Sequence, residues 1–288
     1  MNGYKETYLS YRTAQLISQL LPRRFAYWFG LRVSDRFFAN DDVGRRAVMS
    51  NFRRILRAQG IQPSGEMLRQ MARKNFQYFS KYLIDFFKFP MLRLKDVNHM
   101  VSFENFDFLE EAESYGKGVI IISAHLGNWE LGGAVLSCLE RKVHAVVQPM
   151  LGSKINELFQ KHRTQRGMHV IPMGHAARGV IKALRANQHV AMIADRDFTA
   201  HNETMLFFGE PARLPSGPAR LSVKTGAPLV PVFLLRQPDD TFLFRFYPPI
   251  LPEAMGSIDN IRSRIRDVIE LEIGRNPLQW FMFDDFWD

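Results

Sequence analysis

His125 and Glu130 carry the sharpest chemical signal in the chain. They stand in the run Ile120-Ile121-Ile122-Ser123-Ala124-His125-Leu126-Gly127-Asn128-Trp129-Glu130. On one continuous helix, five steps of about 100° would leave the two side chains about 140° apart. With His125 on a loop and Glu130 in the first turn of a helix starting near Asn128, the carboxylate can reach back to the imidazole. A carboxylate on one ring nitrogen fixes the tautomer and leaves the other nitrogen as a base. A neutral histidine so held takes a hydroxyl proton near pH 7. Spacing alone also fits a structural histidine at a strand end. A zinc site fits less well, because the two-histidine helical spacing is missing and the chain has a single cysteine, Cys138.

The elements that must hold these residues follow from periodicity. Short apolar runs at 119–123, 143–147, 169–171, 190–194 and 229–234 read as strands. The segments near 128–140, 153–167, 176–187 and 217–226 read as the helices between them. This alternation predicts an α/β fold with a central mixed, largely parallel sheet flanked by helices. The run 242–246 reads as a later strand, antiparallel to its predecessor if Pro238-Asp239-Asp240 turns a hairpin. His125 then lies at the carboxyl edge of the sheet, where open α/β folds place their ligands. Asp195-Arg196-Asp197, just past the 190–194 strand, falls at the same edge. A closing amphipathic helix is marked by Ile258, Ile261, Ile265, Val268 and Ile269. The tail from Trp280 is dense in aromatics without a helical period. Residues 1–98 read as amphipathic helices, the third starting at Asp41 or Asp42 as N-cap. The expected division is 1–98 as a basic helical region packing on the catalytic domain and facing a membrane, and 99–288 as that α/β domain.

Composition narrows the partners. The 288 residues are 46% hydrophobic and 23% charged, which requires a folded core. One cysteine excludes an intramolecular disulfide. No stretch has the plan of a secretory signal, and no apolar run reaches membrane-spanning length. Residues 1–100 hold 18 Lys/Arg against 7 Asp/Glu, whereas the remainder holds 20 against 22. The excess of positive charge therefore sits in the first third and calls for an acidic partner: an anionic membrane, an acidic carrier protein or nucleic acid. No standard nucleic-acid motif is present, and the cations alternate with bulky apolar residues, so nucleic acid is not expected. The segments 25–38 and 78–94, which mix Phe, Trp and Leu with Arg and Lys, are the candidate interfacial helices.

The string Ser123-Ala124-His125-Leu126-Gly127-Asn128-Trp129-Glu130 resembles the His-x4-Asp/Glu motif of glycerolipid acyltransferases. More closely, it resembles that of the late acyltransferases of lipid A biosynthesis, the lauroyl and myristoyl transferases, a family that includes phosphatidylinositol mannoside acyltransferases. The similarity continues through Ala194-Asp195-Arg196-Asp197, Phe207-Phe208-Gly209, Pro215-Ser216-Gly217-Pro218-Ala219-Arg220-Leu221 and Lys224-Thr225-Gly226-Ala227-Pro228.

The resemblance implies transfer of a fatty acyl chain from an acyl carrier protein or CoA thioester to a lipid hydroxyl. It implies no metal and no cofactor beyond that co-substrate. His125 would be the base and Glu130 its partner, with Glu203 a further candidate acid. Backbone N–H groups near Asn128 would receive the oxyanion. Arg196 would clamp a phosphate, or pair with Asp195 or Asp197. Arg163 and Arg166 would face phosphate or, more simply, water. Ser216 and Gly217 open a helix whose start suits an anion. The acceptor is expected to be a lipid A-type or other glycolipid or phospholipid. The enzyme is expected on the cytoplasmic face of the bacterial inner membrane, peripherally bound. The rival readings are a thioester hydrolase and a non-catalytic lipid-binding protein of the same fold.

Overall fold

Apolar periodicity is translated directly into elements in the computed structural model, which describes residues 8–88, 93–148, 153–165, 167–173, 176–197 and 204–287. The chain divides into two units, one of Met1–Met91, Met205–Ala212 and Glu270–Asp288, the other of Leu92–Thr204 and Arg213–Ile269.

The first unit is built on helices α1 (Tyr8–Leu20), α2 (Arg23–Asn40), α3 (Asp42–Ala58) and α4 (Gly65–Lys88). Asp41 caps α3 as expected, its side chain accepting the Gly44 N–H at 2.9 Å. Helices α1, α2 and α3 each pack on α4. The large apolar side chains of α4 face inward: Phe76, Tyr82, Phe86 and Phe87 are buried. Among the described residues of the segment 78–94, Leu94 is therefore the one exposed large apolar side chain, fewer than the sequence led us to expect. The opposite holds in α1 and α2. Leu9, Leu16, Leu20, Phe25, Trp28, Phe29 and Phe37 are exposed, Leu9 at 74% and Phe25 at 64%.

The second unit contains α5 (Leu94–Met100), β1 (Val101–Glu104), α6 (Asp107–Ser114), β2 (Val119–Ser123), α7 (Trp129–Cys138), β3 (Val143–Val147), α8 (Ser153–Thr164), β4 (His169–Pro172), α9 (Ala176–Arg185) and β5 (His189–Ile193). After the hairpin β6 (Thr204–Phe207) and β7 (Glu210–Arg213) come α10 (Gly217–Thr225), β8 (Leu229–Arg236), β9 (Phe242–Phe246), α11 (Pro252–Met255) and α12 (Ile258–Arg275), of which Glu270 onward belongs to the first unit. The main sheet has seven strands in the order β1-β9-β8-β2-β5-β3-β4. Strands β8, β2, β5, β3 and β4 run parallel, and β9 is antiparallel to β8. Every residue of β2 is buried, as an unbroken apolar run covered on both faces requires. Sequence periodicity missed β1, α5, α6 and the hairpin, all of them short.

Pro231 occupies an interior strand and has no N–H to give a ladder. It sits where β8 changes partner: the pairing with β2 ends at Ile122↔Pro231, and the pairing with β9 begins at Val232↔Phe246. Beyond Pro231, β8 is thus open on its β2 side.

Much of the aromatic tail and most of the hairpin group with the N-terminal helices, a division that a cut at 98/99 does not give. Two buried asparagines hold the tail. Asn51 Nδ2 donates to the carbonyls of Met282 and Asp284, and Asn75 Nδ2 to those of Leu278 and Trp280, all at 2.8–3.1 Å. Phe207 stacks on Trp287, and the hairpin turn Phe208-Gly209 has φ of 51° and 79°, as a two-residue turn needs.

Candidate active site

The connections leaving β2 and β5 diverge. The chain goes from β2 through α7 to β3 on one side, and from β5 past the hairpin and α10 to β8 on the other. Right-handed crossovers in opposite directions lie on opposite faces of the sheet. A crevice opens between two such strands at their carboxyl ends. His125 and Asp195 stand there.

Parallel register brings these two residues together. Ser123 is paired with Ile193, and the next step is an Ala194 N–H bond to the Ser123 carbonyl at 2.8 Å. Two residues past each strand end, His125 is opposite Asp195. The Asp195 carboxylate accepts twice: Oδ2 from the His125 backbone N–H at 2.8 Å, and Oδ1 opposite His125 Nδ1 at 2.8 Å. The Asp195 side chain is fully buried, whereas that of His125 is 26% exposed. A buried carboxylate on Nδ1 selects the tautomer with the proton there, and Nε2 is left as the basic nitrogen. The Trp129 ring meets the imidazole edge-on, with centroids 5.1 Å apart.

The other side of the loop is stitched to β8. Asn128 N–H donates to the Leu234 carbonyl at 2.8 Å, on the strand edge left open past Pro231. Gly127 has φ of 66°, and a Cβ there would lie 2.2 Å from the Leu234 oxygen. Only glycine fits both conditions. Asn128 is buried and caps α7, its Oδ1 accepting the Leu131 N–H at 3.1 Å. The amides of Asn128 and Leu131 are therefore already bonded, which removes two of the donors expected for an oxyanion at this helix start.

Glu130 does not meet His125. The Arg163 Nε donates to both carboxylate oxygens of Glu130 at 3.0 Å, and a second guanidinium nitrogen also bonds Oε1. Their side chains are 8% and 11% exposed. The expected histidine–Glu130 pair is thus replaced by two separate pairs, His125–Asp195 and Glu130–Arg163. Helices α7 and α8 follow crossovers in the same direction and share a face of the sheet. Arg163 is accordingly a mostly buried partner of Glu130 rather than a solvated side chain.

The remaining candidates are more scattered. Arg196 and Asp197 are half-buried beside Asp195. Ser216 is buried and its hydroxyl accepts from Arg220 Nε at 3.1 Å, so the side chain turns into α10 rather than capping it. Gly217 opens α10 with free space over its Cα. Cys138 ends α7 and is half-buried. Glu203 and Arg166 lie outside the described residues. The role of Asp195 is the one sequence reasoning missed. Two strands with apolar runs of equal length, each followed after one small residue by a polar one, were the available signal.

The sequence profile of the family described as bacterial lipid A biosynthesis acyltransferase matches residues 6–288. A phosphatidylinositol mannoside acyltransferase of Mycolicibacterium smegmatis is 24% identical, over 99% of this chain and 92% of its own length. One from Mycobacterium tuberculosis is 26% identical, over 96% and 87%. A lipid A biosynthesis palmitoleoyltransferase of Escherichia coli is 24% identical, over 76% and 72%. A solved 1-acyl-sn-glycerophosphate acyltransferase from Thermotoga maritima aligns with a TM-score of 0.43 at 13% identity, over 91% of this chain and 100% of its own.

Proposed function

From the premise that the chain belongs to the bacterial lipid A biosynthesis acyltransferase family, and so is an acyltransferase for glycolipid- or lipid A-type acceptors, we propose the following reaction. A fatty acyl chain passes from a carrier-protein or CoA thioester to a lipid hydroxyl. His125 Nε2 removes the hydroxyl proton as the oxygen attacks the thioester carbonyl. Asp195 holds the ring and balances the imidazolium that forms. The tetrahedral oxyanion collapses, the carbon–sulfur bond breaks, and the thiolate takes the proton back from His125. The products are an ester and a free thiol. The pairing of a part-exposed imidazole with a fully buried carboxylate at the carboxyl edge is the observation that carries this reading.

Glu130 acts at one remove. Its ion pair with Arg163 fixes the first turn of α7 on α8, and the Asn128 cap and the His125 loop precede that turn directly. The exposed apolar side chains of α1 and α2 alternate with Arg24, Arg32 and Arg36, which suits seating at an anionic bilayer surface. Among the described residues no helix is long and apolar enough to cross a membrane. The bilayer in question is the cytoplasmic face of a bacterial inner membrane.

Purified enzyme is incubated with radiolabelled palmitoyl thioester and extracted bacterial glycolipids, and the products are identified by mass spectrometry. An acylated lipid that disappears with His125→Ala is expected. Release of free fatty acid alone would assign a hydrolase, and near-normal transfer by His125→Ala would remove the mechanism.

A further inference from the structure

Helix α3 carries an arginine stripe that the acyl-transfer reaction itself does not use. Arg46, Arg53 and Arg57 are 7 and 4 residues apart, so at about 100° per residue they fall within about 40° of one another, over about 16 Å of helix. Arg46 and Arg57 are exposed and Arg53 is half-exposed. Three other arginines of the same unit are paired with acids: Arg23 with Asp85, Arg54 of α3 itself with Glu210 and Asp285, and Arg73 with Asp35. The three stripe arginines enter no ion pair, hydrogen bond or ring contact among the described residues. The opposite side of α3 is committed to the core through Val48, Phe52, Ile55 and Leu56.

This surface differs in kind from that of α1 and α2. There, arginines are set among exposed Leu, Phe and Trp, the mixture an acyl boundary accepts. On α3 the only exposed large apolar residue is Val43, at the start of the helix. A row of guanidinium groups with a single exposed valine beside its first member gains little from the acyl region of a bilayer. It complements a row of carboxylates at helical spacing, because arginine forks bind carboxylates in pairs.

We propose that the Arg46–Arg53–Arg57 stripe docks an acidic protein helix, that of the carrier delivering the acyl thioester. This rests on the acyl-transfer reading above and adds a partner and a place to it. Exposed charge pairs act mainly on encounter rate and register. The stripe therefore governs KM for a protein-borne donor and leaves kcat alone.

The test uses the full chain and a purified acyl carrier protein in its palmitoylated form. A triple charge reversal, Arg46→Glu with Arg53→Glu and Arg57→Glu, is compared with a triple lysine variant that keeps the charge. Carrier binding is measured by surface plasmon resonance at two salt concentrations. Vesicles of phosphatidylcholine with phosphatidylglycerol are assayed in parallel, and turnover is followed with palmitoyl-carrier and with palmitoyl-pantetheine. The reversal should weaken carrier binding and raise KM for the palmitoyl-carrier by about tenfold or more. Vesicle binding, kcat and turnover of palmitoyl-pantetheine should stay as in the wild type, and the lysine variant should recover most of the loss. Equal carrier binding by wild type and reversal overturns the proposal, as does absence of carrier binding. Loss of vesicle binding instead would assign the stripe to lipid and also overturn it. Turnover of palmitoyl-pantetheine reports separately on the acyl-transfer reading, so failure of one is distinguishable from failure of the other.

Discussion

Asp195→Asn separates the two possible partners of His125. In the wild type one buried carboxylate accepts from both the His125 backbone N–H and Nδ1. An asparagine has one acceptor and one donor in the same place. If its oxygen faces the backbone N–H, its NH2 faces Nδ1, which must then accept. The ring proton moves to Nε2, and the base is lost. In the reverse orientation the NH2 opposes the buried backbone N–H, and leaving that donor unsatisfied costs about 1–3 kcal/mol. The first orientation therefore dominates, and the wrong tautomer with it. Loss of a positioned base is worth about 10²- to 10⁴-fold, or about 3–5.5 kcal/mol in the barrier. The assay is single-turnover acyl transfer under saturating acceptor, with thermal denaturation alongside. The expected result is a fall in kcat of that size with a melting temperature close to that of the wild type. A variant with kcat within about twofold of wild type would refute the Asp195 assignment. If Glu130→Gln then lost base catalysis without losing stability, Glu130 would be the partner after all.

Three further outcomes follow from the same geometry. Removing one partner of the Glu130–Arg163 pair, as in Arg163→Met, should destabilise the protein by about 3–5 kcal/mol, because it strands a buried charge; replacing both by apolar residues should recover much of this in chemical denaturation. Gly127→Ala meets a positive φ and a backbone oxygen 2.2 Å away, so it should cost more than about 1 kcal/mol and lower activity by displacing the His125 loop, read by denaturant midpoint and turnover together. His144 stacks on His169 at 4.7 Å and bonds Gln188. Burial holds its pKa below the ordinary value, outweighing the Gln188 bond that raises it, and His169 and Lys142 add to the lowering. The unfolded chain then binds a proton more readily than the folded one. Stability from this group is complete above about pH 6.5 and is lost as pH falls below it; His144→Gln should flatten that part of the stability–pH curve, and an unchanged slope would contradict the assignment.

The main strands and helices of the sheet domain were legible because each is set by local chemistry. The run 119–122 is wholly apolar, the period of α12 is that of a helix, and in the helical unit Asp41 supplies a cap. The carboxyl-edge placement of His125 and Asp195 followed from strand ends alone. What sequence could not give was the partner of each charged group. Five residues of separation made Glu130 the natural mate for His125, yet strand register, a relation between chain segments 70 residues apart, put Asp195 there instead. Handedness of the crossovers then carried Glu130 onto the α7–α8 face, where Arg163 met it. The aromatic tail followed the same rule. Its lack of period meant that its place was fixed by Asn51 and Asn75, two buried amides more than 200 residues away in the chain. Local propensity is decided within a few residues of sequence, whereas a buried charge or amide is satisfied by whatever the fold brings near it.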